Sequence, residues 1–199
     1  MNDIKWSNEM VEPNKILGLA KLAATKDVRY YLNSIYFDKG KLIATNGHVL
    51  GILETKLKSD KSFIIPIELI KNIKRSTRTE SRLVSIDIHE DNTFKNNTQH
   101  IIEISQDGAT YTAPSINAKF PDYIKLLPDA YEPEAGFYDI ALISKMHEAL
   151  KLINPKGIHA LISSSLESRG GIIKAVDFTG LIMPVRLEKH AKTWSGYTP

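Results

Sequence analysis

The chain has no cysteine among its 199 residues. That excludes disulfides, thiolate nucleophiles and cysteine-ligated metals, and it fits a reducing, cytoplasmic setting. Long apolar runs are missing too. No stretch approaches the roughly 20 residues that cross a bilayer, so no membrane helix is expected. Residues 1–12 carry Asp3 and Glu9 without an apolar centre, unlike a signal peptide. Charge of one sign is scarce: 26 Lys and Arg face 23 Asp and Glu, a net charge of +3. Composition alone therefore does not demand a nucleic-acid partner, because a phosphate footprint depends on local clustering. What is present, 42% hydrophobic and 25% charged residues, is ordinary for a folded globular chain.

Pattern along the chain supplies the organisation. Asp3–Trp6 reads as a short strand. Pro13 then opens an amphipathic helix over 13–25, with Ile16, Leu17, Leu19, Ala20 and Ala23 inward and Lys15 and Lys21 outside the apolar face. Strands are expected at Arg29–Phe37 and Lys41–Leu53, joined by a hairpin turn at Asp38-Lys39-Gly40. Phe63–Ile65 reads as a strand, and Pro66 opens a helix over Ile67–Arg75 with Leu69, Ile70 and Ile73 inward. A meander follows at Leu83–Ile88, Ile101–Ser105 and Ala109–Ala113, with turns at Glu90–Asn97 and Gln106-Asp107-Gly108. Pro114, Pro121 and Pro128 mark the end of a domain, and Asp129–Ala135 is an acidic, turn-rich linker. The pattern then restarts: strand Gly136–Ile140, helix Ala141–Ile153, and strands Ile158–Ser163, Gly171–Asp177 and Leu181–Leu187, with 188–199 an irregular tail. Strand, helix and strands thus recur over about 3–60, 63–127 and 136–187. Antiparallel strands with helices on one face make the class α+β, and open sheet edges suggest edge-to-edge assembly.

Catalytic readings find little support. His48, beside Gly47, has no serine or cysteine nucleophile motif with it. Asn46-Gly47 reads instead as a turn or bulge that brings His48 to the surface. His89-Glu90-Asp91, His147-Glu148, His159 and His190 lack zinc-ligand spacing. Gly170-Gly171 is a turn, not a phosphate loop, and Asp122-Tyr123 reads as a turn beside a packing aromatic. A non-enzymatic role without a cofactor is expected.

Four stretches, in order, resemble one family. They are Asp27-Val28-Arg29-Tyr30-Tyr31-Leu32-Asn33, Leu42-Ile43-Ala44-Thr45-Asn46-Gly47-His48-Val49-Leu50, Phe120-Pro121-Asp122-Tyr123-Ile124-Lys125-Leu126-Leu127-Pro128, and Gly180-Leu181-Ile182-Met183-Pro184-Val185-Arg186-Leu187. Together they resemble the bacterial DNA polymerase III beta subunit, or sliding clamp, in a shortened form. The resemblance implies a DNA-clamp fold of repeated βαβββ half-domains. Residues 1–128 correspond to a complete middle domain and 129–187 to the second half of the last domain, followed by the tail 188–199. No counterpart of the family's first domain is found. Asn46 and Val49 stand where the family signature has Asp and Arg, which removes an electrostatic contact at the pocket rim.

The same resemblance implies a groove between the two domains for short linear peptides of DNA polymerase, the clamp loader and other proteins with clamp-binding motifs. Leu32, Thr45, Gly47, His48, Val49, Leu50, Pro121, Lys125 and Leu126 form one wall, and Leu181, Met183, Pro184, Val185 and Arg186 the other. These residue types suit peptide capture, since leucine, valine and proline make an apolar pocket and Met183 adapts to different anchors. Helices facing a channel would offer Lys15, Lys21, Lys71, Lys74, Arg75, Arg78, Arg82, Lys145, Lys151 and Lys156 to double-stranded DNA without reading its sequence. Two roles follow: an oligomeric processivity factor closing around DNA, or a monomeric or dimeric decoy or adaptor that binds peptides without encircling DNA. The tail, with Trp194 and Tyr197, is a candidate internal ligand for the same groove.

Overall fold

In the computed structural model, residues 10–59, 61–77, 82–91, 99–127, 137–157, 161–164 and 170–185 are described. Turn chemistry lays out the first sheet. Strands β1 (Ser34–Asp38) and β2 (Lys41–Thr45) are joined by Lys39-Gly40, both at positive φ, 46° and 85°. This is the two-residue turn whose twist matches a hairpin. Asp107-Gly108, at 53° and 78°, joins β6 (Gln99–Gln106) to β7 (Ala109–Pro114) in the same way. Strand β3 (Val49–Glu54) pairs with β2, and β4 (Phe63–Pro66) pairs with β1. Strand β5 (Ser85–Asp91) pairs with β6 to complete a three-stranded sheet.

Among the described residues, three α-helices lie against these strands: α1 (Pro13–Ala20), α2 (Ile67–Ile70) and α3 (Ile140–Ile153). Pro13 starts α1 where its missing N–H costs nothing. The Asp139 side chain caps α3 by accepting the Ala141 N–H at 2.8 Å. Strands β8 (Leu161–Ser164), β9 (Gly171–Ala175) and β10 (Phe178–Ile182) follow, and the order β4-β1-β2-β3-β10-β9-β8 makes one seven-stranded antiparallel sheet.

Three units of lead segment, helix and three strands are therefore present. The first holds α1 and β1–β3, the second β4, α2 and β5–β7, and the third α3 and β8–β10. The first and second interlock: β4 pairs with β1, and Val11, ahead of α1, bridges Val84, ahead of β5. The third joins the first at a seam where β10 pairs with β3 and Gly180 lies opposite Gly51. A Cβ on Gly51 would overlap the Leu22 side chain and come 3.0 Å from Leu19 Cδ1, and one on Gly180 would come 2.9 Å from Met146. The glycine pair thus lets α1 and α3 settle on the seam, where Ile16, Leu19, Leu22, Met146, Ala149, Leu150 and Ile153 are buried in one core. Lys15 Nζ fastens the seam further, 2.6 Å from Asp177 Oδ2.

The antiparallel α+β architecture and three-fold recurrence match the sequence reading; several boundaries differ. Helix α1 ends at Ala20, and 21–24 continue as turns. Residues Tyr30–Leu32 form a 3-10 turn rather than strand, because the Asn33 side chain closes a loop with Asp27. The expected strand over 41–53 breaks at Asn46-Gly47-His48, where the Asn46 side chain accepts the His48 and Val49 N–H groups at 2.9 Å and Gly47 takes φ 91°. The second helix has a single turn instead of reaching Arg75. Lys74 is drawn away by a pair of bonds to the Gln106 side chain, 2.7 and 2.9 Å. Residues 137–139 are not strand, and Ile140 belongs to α3. Strand β10 starts at Phe178, three residues before the expected Leu181 and ending at Ile182. Of the turn expected over Glu90–Asn97, Glu90 and Asp91 instead extend β5 in its ladder with β6; residues 92–97, Asp3–Trp6, the linker Asp129–Ala135 and the tail lie outside the described residues.

Candidate functional site

The sheet's two faces carry separate apolar clusters, because side chains alternate along each strand. Val49 and Ile182 face the inner core under the helices. Leu50 and Leu181, which are direct cross-strand partners, belong to an outer cluster with Ile43, Ile52, Ile64, Phe120, Tyr123 and Ile172. Tyr31, Tyr36, Leu127 and Met183 pack at its margin. The outer cluster thus straddles the seam between the first and third units and is roofed by the segment leading out of β7.

That roof is fixed by aromatic packing. Phe120 stacks on Tyr36 with ring centroids 4.5 Å apart, and Tyr123 meets Tyr36 edge-on at 6.4 Å. The Tyr123 hydroxyl donates to Asp38 at 3.0 Å; burial and this bond hold its pKa well above the usual tyrosine range. The following 3-10 turn, Ile124–Leu126, leaves Ile124, Lys125 and Leu126 exposed, with Lys125 ion-paired to Asp122 at 3.1 Å. Such exposed pairs contribute at most about 1 kcal/mol.

A polar rim borders the cluster. Thr45 Oγ1 donates to the Val49 carbonyl at 2.6 Å and accepts the Gly47 N–H at 3.0 Å. Met183 N–H donates to the His48 carbonyl at 2.8 Å, which ties the turn to the segment beyond β10. His48 itself is exposed. The Arg29 guanidinium lies beside Gly47, 3.4 Å from where a Cβ would stand. Asp27 holds it with two bonds, 3.0 and 2.8 Å, and the guanidinium in turn keeps the Asp27 carboxyl at a pKa of about 2.

Among the residues expected to bind peptide, Leu50, Leu181 and Met183 come together on the outer face, with Thr45, Gly47 and His48 at the rim. Pro121, Lys125, Leu126, Pro184 and Val185 are exposed or half-buried. Val49 does not join them; strand alternation turns it into the inner core. Leu32, Leu50 and Leu181 are equally buried, each 2% exposed, so none of the three offers a free surface by itself. Arg186 lies outside the described residues. The expectations missed Tyr31, Tyr36, Phe120, Leu127 and Arg29. Alternation along 42–53 could have separated Leu50 from Val49, but the β3–β10 register was needed to see which outer residues meet.

The expected DNA contacts are less coherent. Lys71 pairs with Glu68 at 2.7 Å, Lys151 with Glu148 at 3.1 Å, Lys15 with Asp177 and Glu12, and Arg82 with Asp107. Burial works against the charge of Lys15, yet its bonds to Asp177 and Glu12 prevail and raise its pKa. Lys145 is half-buried, donates to the Ala23 carbonyl at 3.2 Å, and has its pKa lowered by burial. Lys21, Lys74, Arg75 and Lys156 are exposed. Of the expected second-unit cations that are described, Lys71 alone adjoins a helix, because α2 is one turn long. Arg78 lies outside the described residues. Among the described residues, no group of three His, Asp or Glu could hold a metal, and no helix is long and apolar enough to cross a membrane.

Comparison with known proteins agrees with this architecture. The family described as "DNA polymerase III beta subunit, central domain" matches residues 14–122, more than half of the chain. The beta sliding clamp of Vibrio cholerae is 26% identical over 112 residues, which are 53% of this chain and 28% of that protein. The clamp of Haemophilus influenzae is 27% identical over the same shares. The chain therefore aligns with just over a quarter of the length of these curated relatives. In fold, it resembles the DNA polymerase III subunit beta of Borrelia burgdorferi with a TM-score of 0.67 at 16% identity, covering 94% of this chain and 64% of that one. The Bacillus subtilis sliding clamp gives 0.64 at 15% identity, with 94% and 66% covered. The interlocked first and second units occupy the stretch that the family match spans, and the chain belongs to the DNA polymerase III beta subunit family.

Proposed function

We propose that this chain is a non-catalytic, sliding-clamp-like processivity factor in DNA replication, and that it captures short linear peptides of polymerases and other replication proteins on the outer face of the β3–β10 seam. One observation carries this reading: Leu50 and Leu181 meet across the seam and share their cluster with the adaptable Met183. Leu50 and Leu181 are themselves buried and form a fixed apolar floor, so a leucine or phenylalanine anchor would displace water from the half-buried Met183 beside them. The half-exposed rim offers polar partners: the exposed His48, and Arg29, whose guanidinium lies against Gly47 where a side chain would stand. Affinity rests on one or two buried anchors worth about 2 kcal/mol each.

The test is titration of a fluorescent leucine-and-phenylalanine clamp-binding peptide. Met183→Glu should abolish binding while leaving the circular dichroism spectrum intact. Unchanged affinity would remove the groove from this surface.

The alternative, a peptide-binding decoy or adaptor that does not encircle DNA, is favoured by the ion pairs that engage Lys15, Lys71, Arg82 and Lys151. Paired lysines release fewer counterions on meeting phosphate. A processivity factor should bind duplex DNA with a steep dependence on salt; an adaptor should bind peptide and no DNA.

A further inference from the structure

Among the described residues, the third unit has no partner of the kind that the first two units supply to each other. In the second unit, the segment after β7 donates the Ile116 N–H to the Ile64 carbonyl at 3.0 Å. The third unit repeats this bond: Val185 N–H donates to the Phe137 carbonyl at 2.8 Å. Phe137 thus stands where Ile64 does, Tyr138 where Ile65 does, and Ile140, like Ile67, begins the helix. The outer edge of β4 pairs with β1, Ile64 opposite Tyr36 and Ile65 opposite Ile35, and the first unit's Val11 bridges Val84 in the same relation. For residues 137–139 there is no such neighbour among the described residues, and β8 ends the sheet. Only nine residues, 128–136, separate Leu127 from Phe137, too few for another unit between them.

The surface of this segment differs accordingly. Ile64 is 3% exposed, whereas Phe137 is 66% and Ile140 81% exposed. Val185 beside them is exposed as well. Among the described residues, the buried Tyr138 hydroxyl has no hydrogen-bond partner, an arrangement that folded proteins rarely leave uncompensated.

We infer that a second copy of this chain completes the third unit, with residues 137–139 of each copy adding to β8 of the other about one two-fold axis. The register follows from the seam. Gly51 lies opposite Gly180, which makes Ile52 of β3 equivalent to Leu181 of β10. Ile43 pairs with Ile52 as Ile172 pairs with Leu181, and Tyr36 pairs with Ile43 as Ser163 pairs with Ile172. The pair Ile64–Tyr36 within the chain therefore becomes Phe137–Ser163 between chains, and Ile65–Ile35 becomes Tyr138–Ile162. Because both elements belong to the same unit, the contact is self-complementary and closes on itself. Phe137 and Ile140 are covered, and two open edges, each a hazard on its own, pair with each other. The clamp domain that units one and two form inside one chain is rebuilt between two chains.

The test uses the full chain, whose lack of cysteine gives a clean background. Light scattering should return twice the 22.3 kDa chain mass, and Phe137→Glu with Ile140→Glu should return a single-chain mass with an unchanged circular dichroism spectrum. Opposed residues of an antiparallel pair lie about 4.5–5.5 Å apart at Cα, within disulfide reach. Chains carrying Phe137→Cys and chains carrying Ser163→Cys should therefore cross-link when mixed under mild oxidation, and neither should do so alone. A single-chain mass at every concentration overturns the inference. So does a dimer that gives no mixed cross-link, or one that forms only after residues 188–199 are removed. Peptide binding by the Glu variant reads the groove separately, so either proposal can fail without the other.

Discussion

The lead segments of the second and third units are the same element in two circumstances. Phe63–Pro66 is a strand because β1 supplies its ladder, and Ile64 and Ile65 are buried behind it. Residues 137–139 share the bond to the following segment and the same helix start, yet form no ladder, and Phe137 stands in solvent. The lead segment thus carries the strand pattern, while a neighbouring edge decides whether the pattern becomes a strand. A β-strand is half a structure until its N–H and C=O groups are met.

A truncated side chain in each segment separates the two circumstances most directly. Ile65→Ala removes a fully buried side chain and should lower unfolding free energy by about 2–5 kcal/mol in urea denaturation. Ile140→Ala, at an exposed position, should change the stability of the single chain by less than about 0.5 kcal/mol. Equal losses would mean that the two segments are equally buried in solution. A smaller effect is expected at the seam, where Gly51→Ala pushes a methyl into Leu22 and Leu19. It should cost about 1–3 kcal/mol, read as a lower thermal midpoint. On the outer face, Met183→Ala keeps the fold and should weaken peptide binding by about tenfold, roughly 1.4 kcal/mol.

The least effect concerns the rim. Arg29 depresses the Asp27 carboxyl to a pKa of about 2. A depressed carboxyl contributes its interaction above the ordinary pKa of 3.8 and loses it as pH falls through the depressed value. Rim geometry should thus be constant at neutral pH and change only below about pH 4. In an NMR titration Asp27 should show a midpoint near 2, and Arg29→Gln should move it up toward 3.8.

Local chemistry determined much of this protein. Lys39-Gly40 and Asp107-Gly108 specify their hairpins because glycine tolerates the positive φ those turns require, and Pro13 specifies the start of α1. Alternation named the strands, and the spacing of Leu69, Ile70 and Ile73 correctly placed them inward. Contacts distant in sequence decided the rest. Gln106 stopped the second helix at Ile70 by taking the Lys74 backbone, and Asn46 divided the expected long strand. The β3–β10 register sorted Leu50 and Leu181 onto the outer face and sent Val49 inward. A one-residue slip in that register would exchange the two faces, and no local signal fixes it. Glycines 51 and 180 were visible in the sequence, but that they lie opposite one another beneath α1 and α3 was settled only when the third unit closed on the first, since that pairing depends on side-chain volumes more than a hundred residues apart.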